Sequence, residues 1–351
     1  MLTPSSSSHA PHTPHAAPAP QRHRRITVQG GTMLLLFVLL AMVPVYARVQ
    51  AEPFYVILFA RVLIFAIAAL SLDLILGVAG LVSFGHALYL GIGAYAAGIL
   101  AQHGIDNGWV HVGVAVGMCA AVGLVTGLVS LRTAGIAFIM ITLAFAQMGY
   151  FLAVSLKDYG GDDGLPLAAA SRFGSLSLAD PVTLYCVALA MLALLLLLGR
   201  RMLKARFGMT LAGIRMNPRR MRALGVATLH YTLAAYVSAA VLCGLAGVLL
   251  ANLTQFVSPS TLSWTTSGEL IVMVVIGGLG TFAGPVLGAL AMVLVEEGLK
   301  AATEHWMVYM GPLIVVVVLV SKRGLIGVLQ ELDARRARGA TRTRPADGAH
   351  R

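Results

Sequence analysis

Six ionisable side chains stand in or beside long apolar runs: Arg61, Asp73, His86, Glu269, Glu296 and Glu297. A charge inside a bilayer is expensive, so each is a candidate for function and each needs a partner. Arg61 and Asp73 cannot serve one another, because on one straight helix they would stand about 18 Å apart along the axis and about 120° apart around it. Glu296 and Glu297 fall at the end of an apolar run, where an interfacial position satisfies them. Arg61 can likewise snorkel toward an interface. That leaves Asp73 and His86 as the plausible proton sites deeper in an apolar region. His86, in Ser83-Phe84-Gly85-His86, reads as a packed, hydrogen-bonded histidine rather than a relay.

Catalytic signatures are missing. No G-x-x-x-x-G-K-[ST] occurs, nor any Gly-Lys dipeptide, so the chain cannot cradle nucleotide phosphates with a P-loop. It also lacks H-E-x-x-H, the G-x-S-x-G elbow and a Cys/His metal set. Cys119, Cys186 and Cys243 lie in apolar runs, where a free Cys behaves as a small hydrophobe. The chain reads as neither an enzyme nor a holder of a cofactor or metal. If ATP drives it, another polypeptide hydrolyses the ATP.

The polar counterpart is the stretch from Gly199 to Gly225. It carries Arg200, Arg201, Lys204, Arg206, Arg215, Arg219, Arg220 and Arg222, with no Asp or Glu. Between membrane-length runs such a loop stays cytoplasmic. Asn217 followed by Pro218 reads as an N-cap with Pro at the first helical position. Met221 and Leu224 then share a face, and Gly225 ends the turn. A short helix within 210–225 is thus a handle for a soluble partner, gripped through Arg215, Asn217, Arg219, Arg220, Met221, Arg222 and Leu224.

The elements that position these residues are membrane helices. Of 351 residues 58% are hydrophobic and 11% charged, which fits an all-α polytopic helical bundle in a lipid bilayer. The net charge of +11 would suggest nucleic acid in a soluble chain. Here 20 of the 25 Lys and Arg fall before residue 31, at Arg132, in 199–225 or after 321, so the charge orients the chain and no nucleic acid is implied. About 20 apolar residues cross a bilayer. Candidate spans are 32–47, 54–72, 79–101, 109–130, 134–155, 182–198, 229–251, 269–298 and 305–321. Nine crossings would strand the basic C-terminal region outside. The run 269–298 would be about 45 Å long as one helix, so it must break, and Gly277, Gly278, Gly280, Gly284 and Pro285 supply the break. Ten crossings result, with both termini inside and eight as the alternative. The acidic segment 156–181 then lies outside.

Residues 1–30 read as a disordered basic cytosolic tail, 31–325 as the transmembrane domain and 326–351 as a second cytosolic basic tail. The tail's dispersed histidines have no metal-binding geometry. The run 33–47 also has the look of a signal-peptide core, but the long preceding tail and Arg48 favour a retained span. Glycines concentrate at 77–98 and 277–288, as expected of closely packed or movable helices. Ser83, His86, Gly91, Gly93 and Tyr95 are the candidates for a translocation path.

Four blocks resemble a known family. They are Leu70-Ser71-Leu72-Asp73-Leu74 through Gly77-Val78-Ala79-Gly80-Leu81-Val82-Ser83-Phe84-Gly85-His86 to Gly93-Ala94-Tyr95; Gly160-Gly161-Asp162-Asp163-Gly164-Leu165; Arg206-Phe207-Gly208 through Ile214-Arg215 to Ala223-Leu224-Gly225; and Val257-Ser258-Pro259-Ser260 through Ile276-Gly277-Gly278-Leu279-Gly280-Thr281 to Gly284-Pro285. In order over about 55–330, they are similar to permease subunits of branched-chain amino acid ABC importers, specifically the M-type partner of a permease pair. The chain departs from the pattern at Asp73, where Asn is common, and at Met216, Pro218 and Arg219. The resemblance implies a bacterial inner-membrane protein working with a homologous second permease, two cytosolic ATP-binding subunits and a periplasmic substrate-binding protein. A proton-coupled secondary transporter using Asp73 and His86, or a channel or scaffold, are the competing classes.

Overall fold

The computed structural model describes residues 35–44, 46, 53–174, 176–281, 283–320, 324, 325 and 327. The N-terminal tail lies outside these residues, as does the C-terminal tail apart from Gly327. Helix α1 (Leu35–Pro44) leads to α2 (Pro53–Asp73), which continues as a π-helical turn through Leu74–Ala79. A helix apolar on all sides has no face to offer water and belongs at the centre of a bundle. Accordingly α2 is enclosed, packing on α6 (Pro181–Lys204), α9 (Thr228–Thr254), α10 (Trp264–Gly277) and α11 (Gly284–Ala302). Helix α3 (His86–Gln102) fits against α9 and α4 (Gly108–Ser130), and α5 (Ile136–Ser155) flanks α3 and α4. The polar segment forms α7 (Arg206–Met216) and α8 (Pro218–Ala223), and α12 (Trp306–Val320) completes the bundle.

Side-chain caps fix several helix starts. Asn107 accepts from Trp109 N to open α4, and Asp180 accepts from Thr183 N to open α6. Between α5 and α6 the chain forms β1 (Leu165–Pro166) and the hairpin of β2 (Arg172–Phe173) with β3 (Leu176–Ser177). Strand β1 pairs antiparallel with β4 (Phe256–Val257), Leu165 opposite Val257, and Arg172 bridges to Asn107. Asn252 at the end of α9 accepts from Ser171 N and donates to Ser171 Oγ. The turns after α3, α5 and α9 therefore meet at one end of the bundle. Gly77, Gly280, Arg215 and Gly324 meet at the other, so successive apolar helices run in alternate directions.

Among the described residues five helices are long and apolar enough to cross a membrane, namely Phe54–Ala79, Gly108–Ser130, Ile136–Ser155, Pro181–Lys204 and Thr228–Thr254. Shorter apolar helices accompany them at Leu35–Pro44, Trp264–Gly277 and Trp306–Val316. The architecture is an all-α polytopic membrane bundle.

Two boundaries differ from the sequence reading, and the break in 269–298 falls where it was expected. The span expected at 79–101 is helical only from His86, because the π turn ends at Ala79 and Gly80 adopts φ 75°. The loop expected from Gly199 starts later, since Arg200, Arg201, Met202, Leu203 and Lys204 are good helix formers and carry α6 beyond its apolar part. The run 269–298 is two helices, with Gly278 and Gly280 at positive φ between them.

Candidate functional site

Two interrupted helices cross at the end of the bundle that carries α7. Asp73, closing the α-helical part of α2, accepts a hydrogen bond on Oδ1 from Gly280 N at 2.8 Å. This contact needs a bare backbone at Gly77, where a Cβ would stand 2.1 Å from Asp73 Oδ1 and 2.4 Å from Gly280 N. The α10–α11 break is equally tight. A Cβ on Gly277 would meet Gly284 O at 1.9 Å, and one on Gly284 would meet Gly278 O at 2.5 Å. Thr281 Oγ1 donates to Gly278 O at 2.7 Å, and Pro285 occupies the first turn of α11, where a missing N–H costs nothing. Gly324, beyond α12, packs on Gly278.

Arg215 reaches this crossing from α7. Its Nη1 donates to Gly77 O and its stem lies along Gly80, although the residue as a whole is exposed. It is thereby separated from the other residues singled out in the basic segment. Asn217 accepts from Arg220 N at 3.0 Å and caps α8, with Pro218 in its first turn. Met221 tucks its sulfur against Gly213 of α7, whereas Arg219, Arg220, Arg222 and Leu224 face outward. The segment 210–225 is thus two helices meeting at Asn217 rather than one.

The five path candidates share α3 and its approach but diverge. Ser83 is buried, its Oγ accepting from Gly85 N. Gly91 abuts Leu262, and Gly93 meets Gly244 O. Tyr95 lines an apolar cavity of about 450 Å³ with Leu88, Ile92, Met118, Phe145 and Leu262. They do not converge on a single cage. His86 is buried edge-on to Tyr89, ring centroids 5.8 Å apart, but neither ring nitrogen has a hydrogen-bond partner among the described residues. The expectation of a hydrogen-bonded histidine is corrected: the polar groups near it are committed elsewhere. Tyr89 Oη pairs with Thr126 Oγ1 at 2.7 Å and donates to Tyr236 Oη at 3.0 Å.

Arg61 and Glu296 find one another across the fold. Arg61 Nη2 donates to Glu296 Oε1 at 3.1 Å, and Lys300 Nζ donates to the same oxygen at 2.6 Å while lying over the Trp306 ring. Glu296 is therefore an ion-pair centre and not a solvated interfacial carboxylate. Glu269 stands within electrostatic reach of this set.

Sequence reasoning missed Tyr89, Thr126 and Tyr236, which no spacing links. It also missed the pairing of the two breaks, for which a signal exists. Gly80-Leu81-Val82-Ser83-Phe84 and Gly278-Leu279-Gly280-Thr281-Phe282 share the order Gly-Leu-x-Ser/Thr-Phe, and each follows the end of a buried helix.

The profile of the family described as branched-chain amino acid transport system / permease component matches residues 54–319, a stretch holding both breaks and α7–α8. The chain belongs to this permease family. Among its relatives, the high-affinity branched-chain amino acid transport system permease protein LivM of Escherichia coli K12 is 27% identical over 75% of this chain and 68% of the relative. LivM of Salmonella typhimurium is 26% identical with the same coverage. The permease protein LivH of E. coli K12 is 26% identical over 75% of this chain and 91% of its own length. No solved structure matches with significance. In this permease the conformationally demanding glycines and the one inward-turned arginine of α7 sit at the same crossing.

Proposed function

We propose that this permease is the M-type transmembrane subunit of an ATP-driven importer that moves branched-chain or related amino acids delivered by an external binding protein. The observation that carries the reading is the pair α7–α8, in which the capped, outward-facing α8 and its C-cap bear Arg219, Arg220, Arg222 and Leu224, the pair has no carboxylate, and α7 attaches through Arg215 to the crossing of two broken helices. A soluble ATPase gripping α8 would have a direct mechanical connection to the membrane core. Positive-inside placement of this segment puts α7–α8 and both termini in the cytoplasm and 156–181 outside, with ten crossings of the inner membrane. The partners are a homologous second permease, two ATP-binding subunits and a periplasmic binding protein. ATP chemistry resides in the separate subunits.

Transport in this reading follows from helix packing more than from a tight solute site. An importer fed by a binding protein gains little from strong binding in the membrane, where it would slow release. Ser83 before α3, and His86, Gly91, Gly93 and Tyr95 on α3, border the path, and Gly277, Gly278, Gly280, Gly284 and Pro285 form the hinge. The competing reading, a proton-coupled carrier, draws on Asp73 Oδ2, which has no partner among the described residues, and on His86. Purification from the native membrane followed by reconstitution separates the two. ATPase subunits that copurify, with uptake requiring ATP and the binding protein, are the expected result. Uptake driven by a proton gradient without ATPases would remove the proposal.

A further inference from the structure

Arg215 belongs by sequence to the basic cytosolic segment, yet its guanidinium ends on the π turn of α2, on the oxygen of Gly77. Gly77 lies four residues beyond Asp73, and Asp73 is buried. One carboxylate oxygen of Asp73 is committed to Gly280 N, while Oδ2 has no partner among the described residues. A buried carboxylate oxygen without a donor is unfavourable, and a guanidinium with five donors in a planar fork is the group best shaped to meet it. Arg215 is already within electrostatic reach of Asp73. π turns in helices recur at functional sites. The described crossing has Arg215 on Gly77 O with Asp73 holding Gly280; the free carboxylate oxygen offers a second arrangement, with Arg215 paired to the carboxylate and Gly280 released.

We propose that Arg215 is a positioning residue that couples α7–α8 to the crossing of the broken helices by exchanging between Gly77 O and Asp73 Oδ2. Movement of α7 toward the bundle transfers the guanidinium to the carboxylate. The ion pair draws Asp73 away from Gly280 N and loosens the α10–α11 break, and retreat of α7 restores the described contacts. Each arrangement has its own hydrogen bonds, as a two-state element requires if motion at one site is to bias another. Gly80 is needed because a side chain there would press on the Arg215 stem, and Gly77 because one there would strike Asp73 Oδ1 and Gly280 N. The inference rests on the permease reading above.

The test uses the complete complex in proteoliposomes with the binding protein and labelled branched-chain amino acids, reading ATP hydrolysed per solute imported. Arg215→Gln and Asp73→Asn should each raise that ratio about tenfold, in the range of ordinary coupling energies. Asp73→Asn retains an oxygen for Gly280 N, so assembly should persist, checked by recovery of the ATPase subunits. The double variant should be no worse than the worse single one, since both remove the same contact. Arg215→Lys, which keeps the charge without the fork, should fall between. An unchanged ratio in either single variant, additive effects in the double, or failure of Asp73→Asn to assemble overturns the exchange. If the parent complex imports with ATP and the variants stay coupled, only this inference fails. A parent complex without ATP-dependent import refutes the permease reading and the exchange with it.

Discussion

Gly93 of α3 and Gly244 of α9 meet backbone to backbone, so close that a Cβ on Gly93 would stand 1.9 Å from Gly244 O. Nearby, a Cβ on Gly247 would meet Leu90 O at 2.0 Å. In lipid, where no hydrophobic force acts between helices, this close approach is itself the source of the contact energy. Even Gly93→Ala should therefore overpack the pair, destabilising by about 1–3 kcal/mol or more, and Gly93→Leu should abolish assembly and uptake. Gly113→Ala and Gly117→Ala on α4 meet open space and should be neutral or slightly stabilising. Thermal unfolding midpoints in detergent distinguish the two groups. Equal midpoints for Gly93→Ala and Gly113→Ala would contradict the close-packing account.

Glu296 holds Arg61 on α2 and Lys300 one turn along α11. Glu296→Ala leaves two cations without their common anion. With the cation side chains 34% and 33% exposed, the loss should be about 2 kcal/mol, below that of breaking a fully buried pair. Arg61→Ala should be milder, about 1 kcal/mol, because Lys300 still satisfies the carboxylate. Denaturation midpoints of both variants check the order, and a reversed order would count against Glu296 as the centre.

The relation of sequence to structure differs between these cases. The membrane class, the basic segment and the need to break 269–298 were legible because they depend on local composition, helix length and glycine content. Asn217 was legible as a cap for the same reason. The partner of Arg61 lies 235 positions away and that of Asp73 lies 207 away. No local period carries such information. Arg215 looked like its neighbours because a residue's direction off a short helix is set by what the helix packs against. His86 was misjudged because hydrogen-bond supply in a membrane core depends on which hydroxyls reach it, and Tyr89, Thr126 and Tyr236 satisfy one another.

Leu224 is 72% exposed at the end of α8, beside Arg220 and Arg222. If α8 seats in an apolar groove rimmed by acidic groups, Leu224→Asp should cost a few kcal/mol of association, about 2 or more, and abolish recovery of the ATPase subunits. Arg219→Ala, at a solvated ion pair, should cost about 0–1 kcal/mol and leave recovery nearly intact. Pull-down yields from detergent extracts give the comparison. Normal recovery with Leu224→Asp would remove α8 as the docking element.

His86 fills space against Tyr89 without a hydrogen-bond partner among the described residues. A ring used for packing leaves a cavity when removed, so His86→Ala should lower uptake only partly, by roughly a few-fold, with some loss of stability. The dependence of uptake on pH should keep the parent's shape, since a histidine that relayed protons would imprint its titration on the rate. Complete loss of uptake in an assembled His86→Ala complex, or a changed pH profile, would assign His86 a chemical role.

The two ends of the bundle give a test of topology. Arg215 on Gly77, Asp73 on Gly280 and Gly324 on Gly278 tie α7, both breaks and the segment after α12 to one end, while β1, β4 and the β2–β3 hairpin lie at the other. Positive-inside placement makes the first end cytoplasmic. Cysteines at Met216 and Leu325, both exposed, should therefore be shielded from a membrane-impermeant thiol reagent added outside, and one at Asp163 should react. Native Cys119 and Cys243 are buried and Cys186 is exposed, so the test belongs in a Cys186→Ser background. Labelling at 325 but not at 216 would mean that the chain between these two positions crosses an odd number of times, and α9, α10, α11 and α12 could not then be four crossings.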